Sequence, residues 1–260
     1  MKKYFVIGNP IEHSLSPELH NFWIKKNNIK AIYEKIKLSE NELPDFINKL
    51  KNDEIHGINV TVPFKTKVVS LMDSLSAEAT ATKSVNTIYK TKNKIVGHNT
   101  DVAGFELGLR HSKINVLDKE IIIIGAGGVT SSLIFSLQNM GCKKIYITNR
   151  TKKKAINLKE IFHKIEVIDW GKLPNFDIIV NATSVGLNND VLDLNLNFKN
   201  KIFFDIIYNP PETPFLKKAR LSGNKVENGK LMFIYQANQS FSIWNNLIPP
   251  IDDETLKIIK

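Results

Sequence analysis

Cysteine, arginine and long apolar runs are scarce in this chain of 260 residues. Its one cysteine, Cys142, excludes an internal disulfide. No stretch of about 18 apolar residues occurs, so we expect no transmembrane helix. The opening MKKYFVIG has too short an apolar segment for a signal peptide and is typical of a first strand. These features favour a cytoplasmic enzyme.

The six histidines show neither HxH nor HExxH spacing, and a lone cysteine cannot build a thiolate cluster, so we expect no metal site. The formal net charge of +10 raises nucleic-acid binding as a hypothesis. The lysines, however, are spread along the chain, and TKKK at 151–154 is their densest run. This distribution favours a solvated lysine surface with no nucleic-acid or membrane partner.

The first third of the chain has an α/β pattern. Its apolar periodicity predicts three strands and three helices: strands at 3–8, 31–37 and 57–62, and helices near 16–27, 41–51 and 65–73. A hairpin follows, with its turn at 91–94. Ser14 or Ser16 is expected to cap the first helix, and Thr100 or Asp101 the helix after the hairpin.

From residue 120 the pattern predicts a parallel sheet covered by helices on both faces. Its strand segments are near-continuous apolar runs: EIIIIG, KKIYITNR, IEVID, FDIIVNATS, KIFFDIIYN and, as a candidate sixth, KVEN. The last part of the chain, LMFIYQANQSFSIWNN, predicts one long amphipathic helix.

The first strand of this second pattern is followed by a glycine-rich turn made of Gly125, Ala126, Gly127, Gly128 and Val129. The turn matches the first two glycines of GxGxxG, with Thr130 at the third position. Backbone N–H groups and a helix N-terminus at such a turn suit a pyrophosphate. We therefore expect these residues to bind a dinucleotide.

The second strand lacks the terminal carboxylate that an NAD site uses for the ribose hydroxyl. It ends instead in Asn149, Arg150 and Thr151, about 20 residues beyond the glycines, where that carboxylate is expected. A guanidinium grips a 2′-phosphate and stacks on adenine. The turn therefore predicts NADP(H) rather than NAD(H).

Polar residues at strand ends and helix starts supply further candidates. In GINVTVPFK, alternation places Asn59 and Thr61 on the polar face of a short strand, and Lys65 follows the strand. The apolar face of that strand is predicted to hold Ile58, Val60 and Val62. Ser14 and Ser16, at a loop-to-helix junction, suit a small carboxylate.

A later strand ends in NATSVG, which contains Thr183. Open α/β sheets bind ligands at the carboxyl ends of their strands. A contact of Thr183 with the nicotinamide side of the cofactor and an ordinary turn are both compatible with this position.

Nine stretches along nearly the whole chain resemble, in order, those of shikimate dehydrogenases: GNPIEHSLSPELHN, GINVTVPFK, SVNT, GHNTDVAGF, GAGGV, NRT, NATSVG, DIIYNPPETPFL and NGKLMFIYQANQSF. The resemblance implies an α/β protein of two domains with the active site between them. The N-terminal α/β substrate domain would comprise residues 1–101 plus 231–260, and a Rossmann-type doubly wound parallel-sheet nucleotide domain residues 102–230. The implied reaction is the reversible reduction of 3-dehydroshikimate to shikimate by NADPH.

Carried over by position, the resemblance implies that Lys65 and Asp101 are the catalytic pair. Residues matching the substrate side are Ser14, Ser16, Asn59, Thr61, Asn86, Tyr208 and Gln236. Residues matching the NADP(H) side are Gly125, Ala126, Gly127, Gly128, Val129, Asn149, Arg150, Thr151, Thr183, Gly229 and Met232. The chain departs from the family pattern at Lys83, where glycine is expected, and at Ser131 and Ser132, where a basic residue often follows the glycine turn.

Three alternatives stay open at the level of sequence. One is a quinate or dual quinate/shikimate dehydrogenase, which shares the scaffold. Another is a non-catalytic NADP-binding regulator, against which the presence of both Lys65 and Asp101 argues. Nucleic-acid binding, the third, rests on charge alone. We expect a monomer or a homodimer.

Overall fold

The computed structural model describes residues 1–259, and the chain divides into two compact units. Unit 1 comprises residues 1–104 and the segment from Ile234 onward, and unit 2 comprises Phe105–Phe233. The boundaries predicted from the sequence, after residues 101 and 230, lie three residues earlier at each junction.

The strands and helices follow one another in an α/β order. The strands are β1 (Lys2–Gly8), β2 (Ala31–Lys37), β3 (Gly57–Val60), β4 (Ser74–Leu75), β5 (Thr87–Thr91), β6 (Lys94–His98), β7 (Glu120–Ile124), β8 (Lys144–Thr148), β9 (Ile165–Val167), β10 (Ile178–Asn181), β11 (Ile202–Asp205) and β12 (Lys225–Glu227). The helices are α1 (Ser16–Lys26), α2 (Leu43–Lys51), α3 (Ala77–Thr82), α4 (Thr100–His111), α5 (Thr130–Asn139), α6 (Lys152–Ile161), α7 (Pro214–Leu221), α8 (Lys230–Asn245) and α9 (Asp253–Ile258). Short 3-10 helices occupy Glu40–Glu42 and Val68–Leu71.

Unit 1 is built on a mixed sheet with the order β2-β1-β3-β5-β6-β4. Strands β2, β1 and β3 run parallel, whereas β5 and β6 form an antiparallel hairpin. Helix α2 packs onto the sheet through residues at i, i+3, i+4 and i+7: Leu43, Phe46, Ile47 and Leu50, all at most 6% exposed. Burying one such side chain contributes roughly 1.5–3 kcal/mol, so this stripe anchors the helix.

Unit 2 is an all-parallel sheet with the order β12-β11-β10-β7-β8-β9. Adjacent residues of β7 enter different hydrophobic clusters, Ile121 and Ile123 in one and Ile122 and Ile124 in the other. Because side chains alternate across a strand, both faces of the sheet are covered by apolar groups. The strand order reverses between β7 and β10, which is the topological switch point of a doubly wound fold. The predicted parallel sheet and its sixth strand are confirmed.

The predicted helix at 65–73 is wrong. Only Val68–Leu71 is helical there, as a 3-10 turn, and β4 and α3 follow. The carbonyl of Lys65 accepts a hydrogen bond from the Val85 N–H at 2.8 Å, so it is not used in an α-helix. Two β-branched valines also lower the helix propensity of this stretch.

The strand in GINVTVPFK is shorter than predicted. It ends at Val60, and Val62 is 58% exposed rather than part of the core. Ile58 and Val60 are buried as expected. The other face of β3 is buried too, because helix α8 covers it: a Cβ on Gly57 would lie 2.5 Å from the Trp244 ring, and Asn59 is only 6% exposed.

Candidate functional site

Lys65 and Asp101 form a close ion pair within unit 1. The Lys65 Nζ donates to Asp101 Oδ2 at 2.5 Å, and the side chains are 11% and 6% exposed. Lys65 is held from behind by the hydrogen bond of its carbonyl to Val85. A charge pair this deeply buried strongly resists the loss of either partner, because the other would be left as an unpaired buried charge.

Asp101 sits in the first turn of α4, where the helix dipole favours a negative charge. The prediction that Thr100 or Asp101 caps this helix is wrong. The helix begins at Thr100, and the preceding residue, Asn99, accepts from the Asp101 N–H through its Oδ1 at 3.1 Å. Because Asn99 accepts from the helix N-terminus, the Asp101 carboxylate can accept hydrogen bonds from other side chains.

Asn86 connects the ion pair to helix α8. Its Nδ2 donates to Asp101 Oδ1 at 2.9 Å and to Gln236 Oε1 at 3.4 Å. Its Oδ1 accepts from the Thr100 N–H at 2.7 Å. Four residues predicted from distant parts of the sequence, Lys65, Asn86, Asp101 and Gln236, therefore come together in one hydrogen-bonded group.

Asn59 has a different position from the one predicted. Its Nδ2 donates to the Asn86 carbonyl, to Thr87 and to Ser240, and its Oδ1 accepts from the Tyr33 hydroxyl. Both amide hydrogens are therefore engaged within unit 1. The structure gives Asn59 a supporting place beneath Asn86 rather than an open polar face, because α8 covers this face of β3 and brings Ser240 to Asn59. Thr61, beyond the end of β3, is half-buried.

Ser14 and Ser16 form a pair of their own at the start of α1. Their Oγ atoms are 3.2 Å apart, and the Ser16 N–H donates to Ser14 Oγ at 3.3 Å. The prediction that one of them is the N-cap residue of the helix is wrong, because that residue is Leu15, which makes no side-chain capping bond. Ser14 Oγ nevertheless accepts from the N–H of Ser16, the first residue of α1, and Ser16 Oγ accepts from the Ser14 hydroxyl.

The glycine turn of unit 2 is shaped by close contacts. Gly125 has φ +113°, and a Cβ there would lie 2.8 Å from the Ala182 carbonyl oxygen. A Cβ at Gly127 would meet nothing within 4 Å, so the turn is open to a ligand on that side. Thr130, at the third motif position, is fully buried and bonds within the turn, accepting from the Gly127 N–H at 3.0 Å.

Asn149 ties the glycine turn to the end of β8. It accepts from the Ala126 N–H at 3.1 Å and donates to the Thr151 carbonyl at 2.8 Å. Arg150 lies between these contacts with an exposed side chain. Among residues 1–259 the structure gives the Arg150 guanidinium no ion pair, whereas Arg110 pairs with Glu106 and Arg220 with Glu212.

A buried carboxylate that the sequence analysis missed lies at the end of β11. Asp205 is fully buried and accepts from Thr213 Oγ1 at 2.7 Å, from the Ile207 N–H at 3.0 Å and from Asn181 Nδ2 at 3.1 Å. Burial raises the pKa of Asp205 to about 6, although these hydrogen bonds act to lower it. Asn181 in turn accepts from the Thr183 hydroxyl at 2.7 Å. Asp205 thus holds the loop that carries Thr183 through Asn181. The sequence signal that could have identified Asp205 is its position in the stretch DIIYNPPETPFL.

Tyr208, Gly229 and Met232 all lie in unit 2. The Tyr208 ring stacks on Phe233 with centroids 4.2 Å apart. A Cβ on Gly229 would lie 2.0 Å from the Ile206 carbonyl oxygen, so only glycine fits there. Met232 is 6% exposed within the hydrophobic core. Their predicted ligand contacts stay predictions.

Residues 1–259 hold no grouping of side chains typical of a metal centre and no membrane-spanning helix. No group of three or more His, Cys, Asp or Glu side chains in that range is arranged to hold a metal ion. Within the same range, no helix has the length and apolar character needed to cross a membrane. Burial raises the pKa of the Cys142 thiol to about 11, which argues against a reactive thiolate.

Two family models match the chain. The shikimate dehydrogenase substrate binding domain matches residues 6–88, and shikimate / quinate 5-dehydrogenase matches residues 108–207. The shikimate dehydrogenase (NADP(+)) of Pelagibacter ubique is 52% identical, with 100% of this chain and 99% of the relative covered. That of Bacillus subtilis is 37% identical, with 97% and 95% covered.

Solved structures agree with these relatives. Shikimate dehydrogenase from Aquifex aeolicus superposes with a TM-score of 0.90 at 35% identity, covering 99% of this chain and 96% of that one. Shikimate 5-dehydrogenase from Thermus thermophilus, in complex with NADP(H) and shikimate, gives 0.89 at 29% identity, covering 99% and 97%. Both the α/β class and the two-domain organisation are shared.

Proposed function

Because this chain belongs to the shikimate dehydrogenase family, we propose that it catalyses the reversible, NADP(H)-dependent reduction of 3-dehydroshikimate to shikimate. The observation that carries the proposal is the buried Lys65–Asp101 pair, joined to Asn86 and Gln236. A relative that is 52% identical over the full chain is a shikimate dehydrogenase (NADP(+)). The enzyme is an oxidoreductase of aromatic amino-acid and chorismate biosynthesis.

Reduction of a ketone needs a hydride on carbon and a proton on oxygen. When bound, NADPH supplies the hydride. The Lys65 ammonium is placed to stabilise negative charge on the substrate oxygen and to deliver the proton. Donation leaves Lys65 as a neutral amine, and in the oxidation direction it is this neutral amine that would receive the proton from the substrate hydroxyl.

Asp101 and Asn86 orient the proton-transferring group. Asp101 Oδ2 holds the ammonium at 2.5 Å, and Asn86 fixes the other carboxylate oxygen at 2.9 Å. With both oxygens constrained, the Lys65 Nζ has a defined location. In unit 1, Ser14, Ser16, Thr61 and Gln236 would hold the carboxylate and ring hydroxyls through neutral donors and acceptors.

The residues of unit 2 fit NADP(H). The open space at Gly127 and the N-terminal end of α5 suit a pyrophosphate. An exposed guanidinium at Arg150, beside Asn149 and Thr151, suits a 2′-phosphate. Gly125, Ala126, Gly128, Val129, Thr183, Gly229 and Met232 would complete the cofactor side.

The alternatives from the sequence make different predictions. A dual enzyme would oxidise quinate as well as shikimate, and a non-catalytic regulator would bind NADP⁺ without turnover. We also propose a cytoplasmic location and a monomeric or homodimeric state.

Steady-state reduction of NADP⁺ and of NAD⁺, each with shikimate and with quinate, tests the function. We expect turnover with shikimate and NADP⁺, and a much lower kcat/KM in the other three combinations. Equal kcat/KM for the two cofactors would contradict the role of Arg150, comparable quinate turnover would establish the dual enzyme, and no turnover would favour the regulator.

A further inference from the structure

Three hydroxyl groups meet in the interior of unit 1, and we refer to Thr87, Thr100 and Ser240 as the hydroxyl triangle. Their Oγ atoms are separated by 3.1 Å (Thr87 to Thr100), 2.8 Å (Thr87 to Ser240) and 3.1 Å (Thr100 to Ser240). All three residues are 0% exposed. Buried hydroxyls carry a desolvation cost unless they are hydrogen-bonded, so the triangle must be closed by its neighbours.

Its neighbours are the residues of the candidate site. Thr87 follows Asn86, Thr100 precedes Asp101, and Ser240 lies one helical turn after Gln236. Asn86 Nδ2 donates to Thr100 Oγ1 at 2.9 Å, and the Thr87 and Thr100 hydroxyls are each 3.1 Å from Asn86 Oδ1. The triangle therefore joins the start of β5, the start of α4 and the middle of α8.

Ser240 has a defined direction in this network. A carbonyl only accepts, so the 3.0 Å contact to the Gln236 carbonyl takes the Ser240 hydroxyl proton. The Ser240 oxygen then accepts from Asn59 Nδ2 at 2.9 Å and from one of the two threonines. Thus Ser240 fastens the turn of α8 that carries Gln236 onto the group that holds Asp101.

A hydroxyl at position 240 lowers the stability of α8 unless its hydrogen bonds to the triangle compensate. Its neighbours Ala237, Phe241 and Trp244 on the same helix are buried apolar residues. A serine that bonds the carbonyl four residues earlier slightly destabilises a helix. An alanine would fill the position without that bond and would suit the helix better.

We infer that Ser240, through the hydroxyl triangle, is a positioning residue that sets Gln236, Asn86 and Asp101 relative to Lys65. This inference rests on the proposed function. Ser240 is fully buried, so we expect it to act on the reaction through the side chains that it orders. Thr87 and Thr100 have the same role but lie beside Asn86 and Asp101 in sequence, whereas Ser240 alone comes from α8.

The test is Ser240→Ala, assayed for shikimate oxidation with NADP⁺ as a function of pH. We expect kcat per folded molecule to fall about three- to tenfold, the effect of losing one ordinary hydrogen bond. The pH profile of kcat should shift, because the surroundings of the Lys65–Asp101 pair change. The KM for NADP⁺ should not change, because the substitution lies in unit 1. The matched control is Ser242→Ala on the same helix, half-buried and outside the triangle, which should match the wild type.

Two further variants keep the test decisive. Combined with Gln236→Ala, the Ser240→Ala change should cost less than it does alone, because the side chain it orders is gone. If Ser240→Ala does not fold, Ser240→Cys, which is similar in shape but a weak donor, undergoes the same measurements with the same expectation.

A Ser240 variant with reduced thermal stability but unchanged kcat and pH profile would overturn the inference, leaving only a structural role. The inference would also be overturned if kcat of Ser240→Ala and kcat of Ser242→Ala fell by the same factor. An inactive wild type would instead contradict the proposed function, so the two failures are distinguishable.

Discussion

Each unit buries an asparagine whose amide donates to an aspartate, yet the surroundings of the two pairs differ. In unit 1, Asn86 holds Asp101, whose other oxygen faces the Lys65 ammonium. In unit 2, Asn181 holds Asp205, and within residues 1–259 the hydrogen bonds to Asp205 come from neutral donors. Burial accordingly raises the pKa of Asp205 to about 6.

Under the proposed function, the difference separates a carboxylate that takes part in the chemistry from one that only supports the fold. Asp101 sits at the edge of an ion pair that is 11% exposed on its lysine side, where a substrate oxygen can approach the ammonium. Asp205 is completely enclosed and fixes the backbone of Ile207 and the loop of Thr183 through Asn181. The same two side-chain types thus serve unlike purposes because one pair includes a reachable cation.

The largest expected effect comes from breaking the unit 1 pair. Lys65→Ala should lower kcat by about 100-fold or more, the range for a positioned acid–base group, while NADPH binding stays nearly intact. Steady-state kinetics and cofactor fluorescence titration measure the two quantities. Lys67→Ala is the control, because Lys67 is two residues away, exposed and paired with Glu40. Near-normal turnover of Lys65→Ala would refute its role.

Breaking the cofactor side of unit 2 should have the next largest effect. Arg150→Ala should cost about 1.5–3 kcal/mol of a charge-assisted contact, seen as a lower kcat/KM for NADPH with that for NADH unchanged. Arg110→Ala is the matched control, since that exposed arginine of the same unit pairs with Glu106. An equal loss with both cofactors would show that Arg150 does not read the 2′-phosphate.

Acid should act in opposite directions on the two units. His20 is 1% exposed among aromatic rings, and burial lowers its pKa from 6.5 to about 3. The unfolded chain then takes up the proton first, so the stability of unit 1, complete above pH 6.5, falls as the pH drops towards 3. Asp205 is the reverse case: its pKa rises from 3.8 to about 6, so unit 2 gains stability as the pH falls from 6 towards 3.8.

Urea unfolding at pH 7 and pH 5 checks this contrast. Between pH 7 and pH 5, the free energy of unfolding of the wild type should fall by about 2 kcal/mol more than that of His20→Phe. This difference follows from roughly 1.4 kcal/mol for each pK unit by which the two states differ. Asp205→Asn should change the pH dependence in the opposite direction, by roughly 1 kcal/mol. Identical pH dependence in His20→Phe and wild type would mean that His20 is not kept neutral by burial.

The smallest expected effect concerns the backbone near each pair. Unit 2 uses glycine at positive φ in its ligand turn, at Gly125, whereas unit 1 has Lys83 at φ 50° at the end of α3. Lys83→Gly should raise the free energy of unfolding by about 0.5–1 kcal/mol. Glycine removes the strain of the left-handed backbone, and this gain is partly offset by the greater conformational entropy of glycine in the unfolded chain. Lys83→Ala, which keeps the strain, should show no gain. Equal denaturation midpoints for both variants would contradict this account.

Local patterns were enough to predict much of unit 2. Four isoleucines followed by GAGGV specify a buried strand, a glycine turn and a helix, and all three occur where predicted. The helix at 65–73 failed because a long-range bond from Val85 takes the carbonyl of Lys65. The capping predictions failed for Ser14, Ser16, Thr100 and Asp101 because the N-cap residue of α1 is Leu15 and the residue that accepts from the start of α4 is Asn99.

The amino-acid sequence by itself determined the α/β class and the glycine-rich turn, because these depend on residue types at short spacing. The roles of Arg150, Lys65 and Asp101 were predicted from the sequence and stay predictions. Tertiary structure decided which polar side chains meet. Helix α8 covers the face of β3 that carries Asn59, and Ser240 was brought to Thr87 and Thr100 across more than a hundred residues of chain. Hydrogen bonds between distant segments have no local pattern, since they form only after strands and helices have packed.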